Sequence, residues 1–184
     1  IGLCSVADPL FRFLLTDKWA PSIPYFQLLS IAGMLNPLHV LNLNILKVKG
    51  RSDLFLRLEI IKRATIILSI VLTYRHGIIA MLYGQIITSI IAYLLNSYYS
   101  GNLINYSQRE QIKDIYPAFG SAIFMGLIMY VVGLIPMQSL LLQIAFQASA
   151  GILVYYLVSI MASTTEIKEI KSIIVDTLNH IRMR

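Results

Sequence analysis

Few side chains in this 184-residue sequence are suited to chemistry. Asp8 and Arg12 stand four apart in the opening apolar run, a spacing that brings both to one helical face. Held inside a membrane, they form a candidate coupling pair for ion movement or substrate contact. At a helix end, the same two residues are only an interfacial ion pair. His39, His76 and His180 lie on separate segments without metal-ligand spacing, and Cys4 is the single cysteine. Neither a metal site nor an intrachain disulfide is expected. The hydroxyl residues lack a neighbouring His and acid to activate them, and there is no glycine-rich phosphate loop. No catalytic residue and no cofactor is assigned.

Uncharged polarity, in contrast, recurs on helix faces. At about 100° per residue, Asn36, His39 and Asn42 fall within an arc of about 120°, beside an expected kink at Pro37. Gln85, Thr88, Ser89, Ala92, Asn96 and Tyr99 fall within about 100° of one another. Burying so many amides against lipid is costly, so both stripes are expected to face other helices or a wet cavity. A lone polar residue of this kind points to helix packing, whereas several amides together with His39 point to a cavity. Gln143 and Gln147, flanked by Ala148, Ser149, Ala150 and Gly151, point to close packing.

The elements that carry these residues are apolar. Hydrophobic residues make up 57% of the chain, charged residues 13%, and the mean hydropathy is +0.72, far from a soluble domain with about a quarter charged. A helix needs about 20 apolar residues to cross a bilayer. Five segments are expected to do so: 22–46, 57–74, 78–99, 117–135 and 138–162. The second is the least apolar, because Glu59, Lys62 and Arg63 occupy its first turns. Residues 1–15 read as the end of a sixth span that starts upstream, which makes the sequence a C-terminal part of something longer. The fold class is therefore all-α integral membrane.

The net charge of +6 follows topology rather than nucleic acid, since the basic residues sit between apolar runs. With five spans, one side of the membrane holds 12 Lys and Arg and the other 3. The richer side, predicted cytoplasmic, contains the stretch NILKVKGRSDLFLRLEIIKR and the C-terminus. In that stretch Gly50 to Asp53 form the expected turn, and Glu59 is placed to pair with Lys62 or Arg63. Trp19 and Tyr25 then fall at the outer interface. Two segments are expected to lie on the membrane surface. Each starts with capping-box spacing, Ser107 to Glu110 and Ser163 to Glu166. The second continues as an amphipathic basic tail over 163–184, suited to anionic membrane lipids.

The order of these motifs resembles a known family. TDKWAPSIPYFQLLSIAGMLNPL, then LNLNILKVKGRSDLFLRLEIIK, then YGQIITSIIAYLLNSYYSG is similar to the C-terminal half of bacterial lipopolysaccharide and O-antigen flippases. These polysaccharide biosynthesis proteins belong to the multidrug/oligosaccharidyl-lipid/polysaccharide exporter superfamily. The resemblance implies a MATE-like fold, with two six-helix lobes and two extra helices. Residues 1–101 then belong to the second lobe, 102–162 to a surface link and the two extra spans, and 163–184 to a cytoplasmic tail. It also implies an activity: moving an undecaprenyl-pyrophosphate-linked oligosaccharide across the inner membrane by alternating access, without covalent change.

By that resemblance Asn36, His39, Asn42, Gln85, Ser89 and Asn96 are candidates for sugar contact. Arg57, Lys62 and Arg63 are candidates for a phosphate-attracting cytoplasmic mouth. The expected partners are a lipid-linked oligosaccharide, membrane lipids and an N-terminal lobe of the same protein. The same fold also serves export of drugs or of a lipid-linked peptidoglycan precursor. A membrane-embedded glycan polymerase or acyltransferase would need acids or histidines gathered at one depth, and a scaffold would bury both polar stripes. Asn36 and Gln85 are expected to face the interior of the lobe.

Overall fold

The computed structural model describes residues 1–135 and 137–161. The expected tail over 163–184, with its Ser163 capping box, lies outside them. Among the described residues the regular structure is entirely helical, in the order α1 (Gly2–Leu15), α2 (Ile23–Gly33), α3 (Asn36–Val48), α4 (Ser52–Thr73), α5 (Ile78–Ile104), α6 (Gln108–Gly133) and α7 (Leu140–Met161). Short 3₁₀ turns over Asp17–Ser22 and Tyr74–His76 lead into α2 and α5.

Among the described residues, four stretches are long and apolar enough to cross a membrane: Asp17–Val48, Ile78–Ile104, Gln108–Gly133 and Leu140–Ile160. Helix α4 has the length but not the composition, because Asp53, Arg57, Glu59, Lys62 and Arg63 interrupt its apolar run.

Three expected boundaries shift. The span over 22–46 is two helices, since α2 ends at Gly33 and α3 restarts at Asn36 with Pro37 in its first turn. Met34 and Leu35 between them stay in the right-handed helical region, so the helix is interrupted one turn before Pro37, where a proline lacks the N–H for the Gly33 carbonyl and crowds it, in keeping with the expected kink. Helix α5 continues past 99 to Ile104 and stops where Asn105 turns left-handed at φ 54°, a conformation that Asn tolerates. The expected surface link over 102–116 is not a separate element, because α6 begins at Gln108 and runs through Pro117 into its apolar part. Its predicted capping box is present: Ser107 Oγ accepts from the Glu110 N–H while Glu110 takes the Ser107 N–H. The turns after α3 and α4 hold Gly50 at φ 67° and Gly77 at φ 87°, ψ 176°. L-residues rarely adopt either conformation, and the second is close to glycine-only.

The helices form two groups that share the α1–α2 contact. Helix α5 is the axis of one, packed against α2, α3 and α4. Helix α1 is the axis of the other, packed against α6 and α7. Between the groups, Gln27 Nε2 donates to the Cys4 carbonyl at 2.9 Å, and Phe11 meets Phe26 with ring centroids 5.1 Å apart.

Candidate functional site

The first helix group encloses an open cavity of about 910 Å³. Its walls come from α2 and α3 on one side, α4 on a second and α5 on a third. Asn36, His39, Gln85 and Ser89 line it, as do Glu59, Lys62 and Arg63. Asn36 and Gln85, on different helices, therefore do face a common interior. Neither side-chain amide has a hydrogen-bond partner among the described residues. Each offers two donors and an acceptor to whatever fills the space.

Two of the six expected sugar contacts are elsewhere. Asn42 and Asn96 are buried, at 5% and 0% exposure, in a polar seam between α3 and α5. Ser100 Oγ donates to Asn42 Oδ1 at 2.6 Å. Asn96 Nδ2 lies 3.3 Å from His39 Nδ1. The helical arc placed both asparagines toward the cavity side, but α3 and α5 touch along part of that arc. Only the N-terminal ends of the two stripes reach open space.

The charged wall also differs from expectation. Glu59, Lys62, Arg63, Ile66, Ser69 and Ile70 follow one face of α4 at helical spacing and line the cavity. Arg57 is exposed and does not line it. At about 100° per residue it lies roughly opposite Glu59 and Lys62, so the three expected cations do not converge. The sequence assigned Glu59 only as an ion partner. In the structure it joins the cavity wall, forming a tight ion pair with Lys62 and approaching Arg63 Nη2 at 3.9 Å. The Lys62 side chain is 16% exposed and the Glu59 side chain 26%. Pairing is what makes two half-buried charges tolerable there.

Asp8 and Arg12 do form an ion pair, at 3.1 Å, and Arg12 also meets Asp17 at 2.7 Å. All three side chains are well exposed, Asp8 midway along α1, Arg12 in its last turn and Asp17 in the 3₁₀ turn that follows. The geometry is that of an exposed ion cluster toward the end of α1, away from the cavity.

The sequence did not single out the seam below the cavity. Ser97 Oγ donates to Gln111 Oε1 at 2.7 Å, and Gln111 Nε2 donates to the Tyr106 carbonyl at 3.2 Å. Gln111, in the segment expected to lie on the membrane surface, is thus 6% exposed and ties α6 to α5. The available signal was Ser97, Ser100 and Ser107 spaced about one or two turns apart beside Gln111. Outside the spans, the hydrogen bond to Asp114 pushes the Tyr106 hydroxyl up to about 12. Arg51 holds the Asp53 carboxyl down to about 2. Among the described residues, no three His, Cys, Asp or Glu side chains gather as metal ligands.

Among the described residues, helical structure throughout and four candidate spans mark a helical membrane protein. Over 167 residues it is 26% identical to the teichuronic acid biosynthesis protein TuaB of Bacillus subtilis (strain 168), an alignment covering 88% of this chain and 34% of that protein. The chain thus spans about a third of that relative's length. It matches no protein-family model and no solved structure.

Proposed function

We propose that this chain is part of a bacterial inner-membrane flippase that moves a lipid-linked oligosaccharide to the outer leaflet during polysaccharide biosynthesis, changing no covalent bond. The observation that carries this reading is the cavity. A space of about 910 Å³ is of the size that binds a substrate portion. The α3 and α5 walls offer unpartnered carboxamides for hydroxyl groups, and the α4 wall offers Lys62 and Arg63 for phosphate. The similarity to a teichuronic acid biosynthesis protein favours a glycan over a drug as cargo.

On this reading α4 is a fifth span. Its charges at 59, 62 and 63 face the cavity, while Ile60, Ile67, Leu68, Val71 and Leu72 turn outward, as expected of a helix that presents charge inward and hydrocarbon to lipid. Five spans place the Lys- and Arg-rich segments and the C-terminus in the cytoplasm. Residues upstream supply the opposing lobe, against which this half rocks.

The test uses the full-length protein in cells, measuring glycan export with insertion and abundance monitored. The double variants Asn36→Ala with Gln85→Ala, and Lys62→Gln with Arg63→Gln, should each reduce export at least tenfold. Arg57→Gln, on the opposite face of α4, should leave it intact. Normal export in both double variants would defeat the cavity as the cargo site.

A further inference from the structure

Neither ring nitrogen of His39 is free to meet cargo, although His39 lines the cavity. Nδ1 lies 3.3 Å from Asn96 Nδ2, and Nε2 lies 3.4 Å from Ser89 Oγ. Both partners belong to α5. The direction of this chain of contacts is set at its far end. Ser89 Oγ donates its one proton to the Ala32 carbonyl at 3.0 Å, and a carbonyl can only accept. That bond is shorter than either contact to the ring, so the serine proton is committed there. Ser89 then presents a lone pair to His39, and Nε2 must carry the hydrogen. In a neutral ring Nδ1 is left bare, and the Asn96 amide donates to it. Turning that amide over would require hydrogen on both ring nitrogens, which would put a third cation into a cavity already lined by Lys62 and Arg63.

The geometry points to Ser89 and Asn96 as a pair of positioning residues that lock His39 in the neutral Nε2–H tautomer, Ser89 by accepting from Nε2 and Asn96 by donating to Nδ1, so that the cavity meets the ring's carbon edge and face and not a nitrogen. The bond made by one ring nitrogen fixes the state of the other. Asn96, at 0% exposure, does so without touching the cavity. Tyr93 limits ring rotation from the same helix, with its ring edge-on to His39 at 6.3 Å between centroids. A consequence that rests on the cargo reading above is a division of labour in the wall. Asn36 and Gln85 hydrogen-bond the hydroxyl groups of a neutral sugar, and His39 packs against the sugar's C–H face. The lock itself does not depend on that reading.

The test is nitrogen-15 NMR of the full-length protein, labelled at histidine and reconstituted in bilayers, with His39→Gln used to assign the His39 signals. Wild type should show one neutral His39 species with hydrogen on Nε2. Asn96→Leu, which leaves the Ser89 acceptor in place, should keep hydrogen on Nε2, whereas Asn96→Leu combined with Ser89→Ala should give a mixture of tautomers. Asn96→Asp, which can only accept, should draw a second hydrogen onto Nδ1 while Nε2 keeps its own, giving an imidazolium. A wild-type ring with hydrogen on Nδ1, a wild-type mixture, or an Asn96→Leu/Ser89→Ala spectrum identical to wild type would each overturn the lock. If Asn96→Asp fails to insert, the wild-type and Asn96→Leu/Ser89→Ala spectra still decide. An Nε2–H ring in wild type combined with normal export in the Asn36/Gln85 variant would leave the lock standing and remove the cargo reading alone.

Discussion

The two helix groups use polar side chains in opposite ways. In the α1, α6 and α7 group, long-range polar contacts end on backbone carbonyls of the neighbouring helix. Ser5 Oγ donates to the Gly126 carbonyl at 3.0 Å, Gln143 Nε2 to that of Gly133 at 2.9 Å, and Gln147 Nε2 to that of Met129 at 3.1 Å. A Cβ built on Gly133 would collide with the end of the Gln147 side chain, so a larger residue there must displace that amide from its bond to the Met129 carbonyl. In lipid, where hydrocarbon gains little by leaving its surroundings, close approach and interhelical hydrogen bonds hold helices together. In the α2 to α5 group, apart from Ser89 on the Ala32 carbonyl, the long-range contacts run from side chain to side chain, charge is present, and two amides are unspent. The first arrangement fixes a distance between helices, while the second keeps a space open.

Three changes test that contrast. The largest effect is expected from Gly133→Leu, which forces the α6–α7 seam apart and should cost about 1–3 kcal/mol, read as a lower unfolding midpoint in detergent. Gln147→Leu removes one interhelical bond and should cost about 0.6–1.7 kcal/mol in the same assay. Asn36→Ala combined with Gln85→Ala should change stability by less than about 0.5 kcal/mol, since neither amide holds a partner. A loss in that pair as large as in Gln147→Leu would mean that both groups are packing seams and that the contrast is false.

How much of this was legible in the sequence varies from residue to residue. The glutamine pair in α7 was readable as packing because Ala148, Ser149, Ala150 and Gly151 beside it permit close approach. The Ser107 capping box was readable because the rule is local, with donor and acceptor three residues apart. Asn36 and Gln85 both line the cavity, whereas Asn42 and Asn96, on the same arcs, were not separated from them. A helical arc gives a direction but not the depth at which two helices touch. Arg57 was grouped with Lys62 and Arg63 because all three are basic and near in sequence, yet its angle on α4 sets it on the other side. The embedding of Gln111 under α5 was not legible, since it depends on where the chain returns after Asn105.

The sequence by itself determined the class: apolar runs of spanning length, few charges and basic connectors are consequences of placing a backbone in hydrocarbon, and they act residue by residue. It also marked some helix ends, such as the starts at Ser107 and Gly77, because caps and glycines work through their immediate neighbours. Tertiary structure decided which polar residues are spent and which are available. Whether His39 presents a nitrogen depends on Ser89 and Asn96, some 50 and 57 residues away in the chain. Hydrogen-bond satisfaction is a property of partners in space, and spacing along one helix does not specify them.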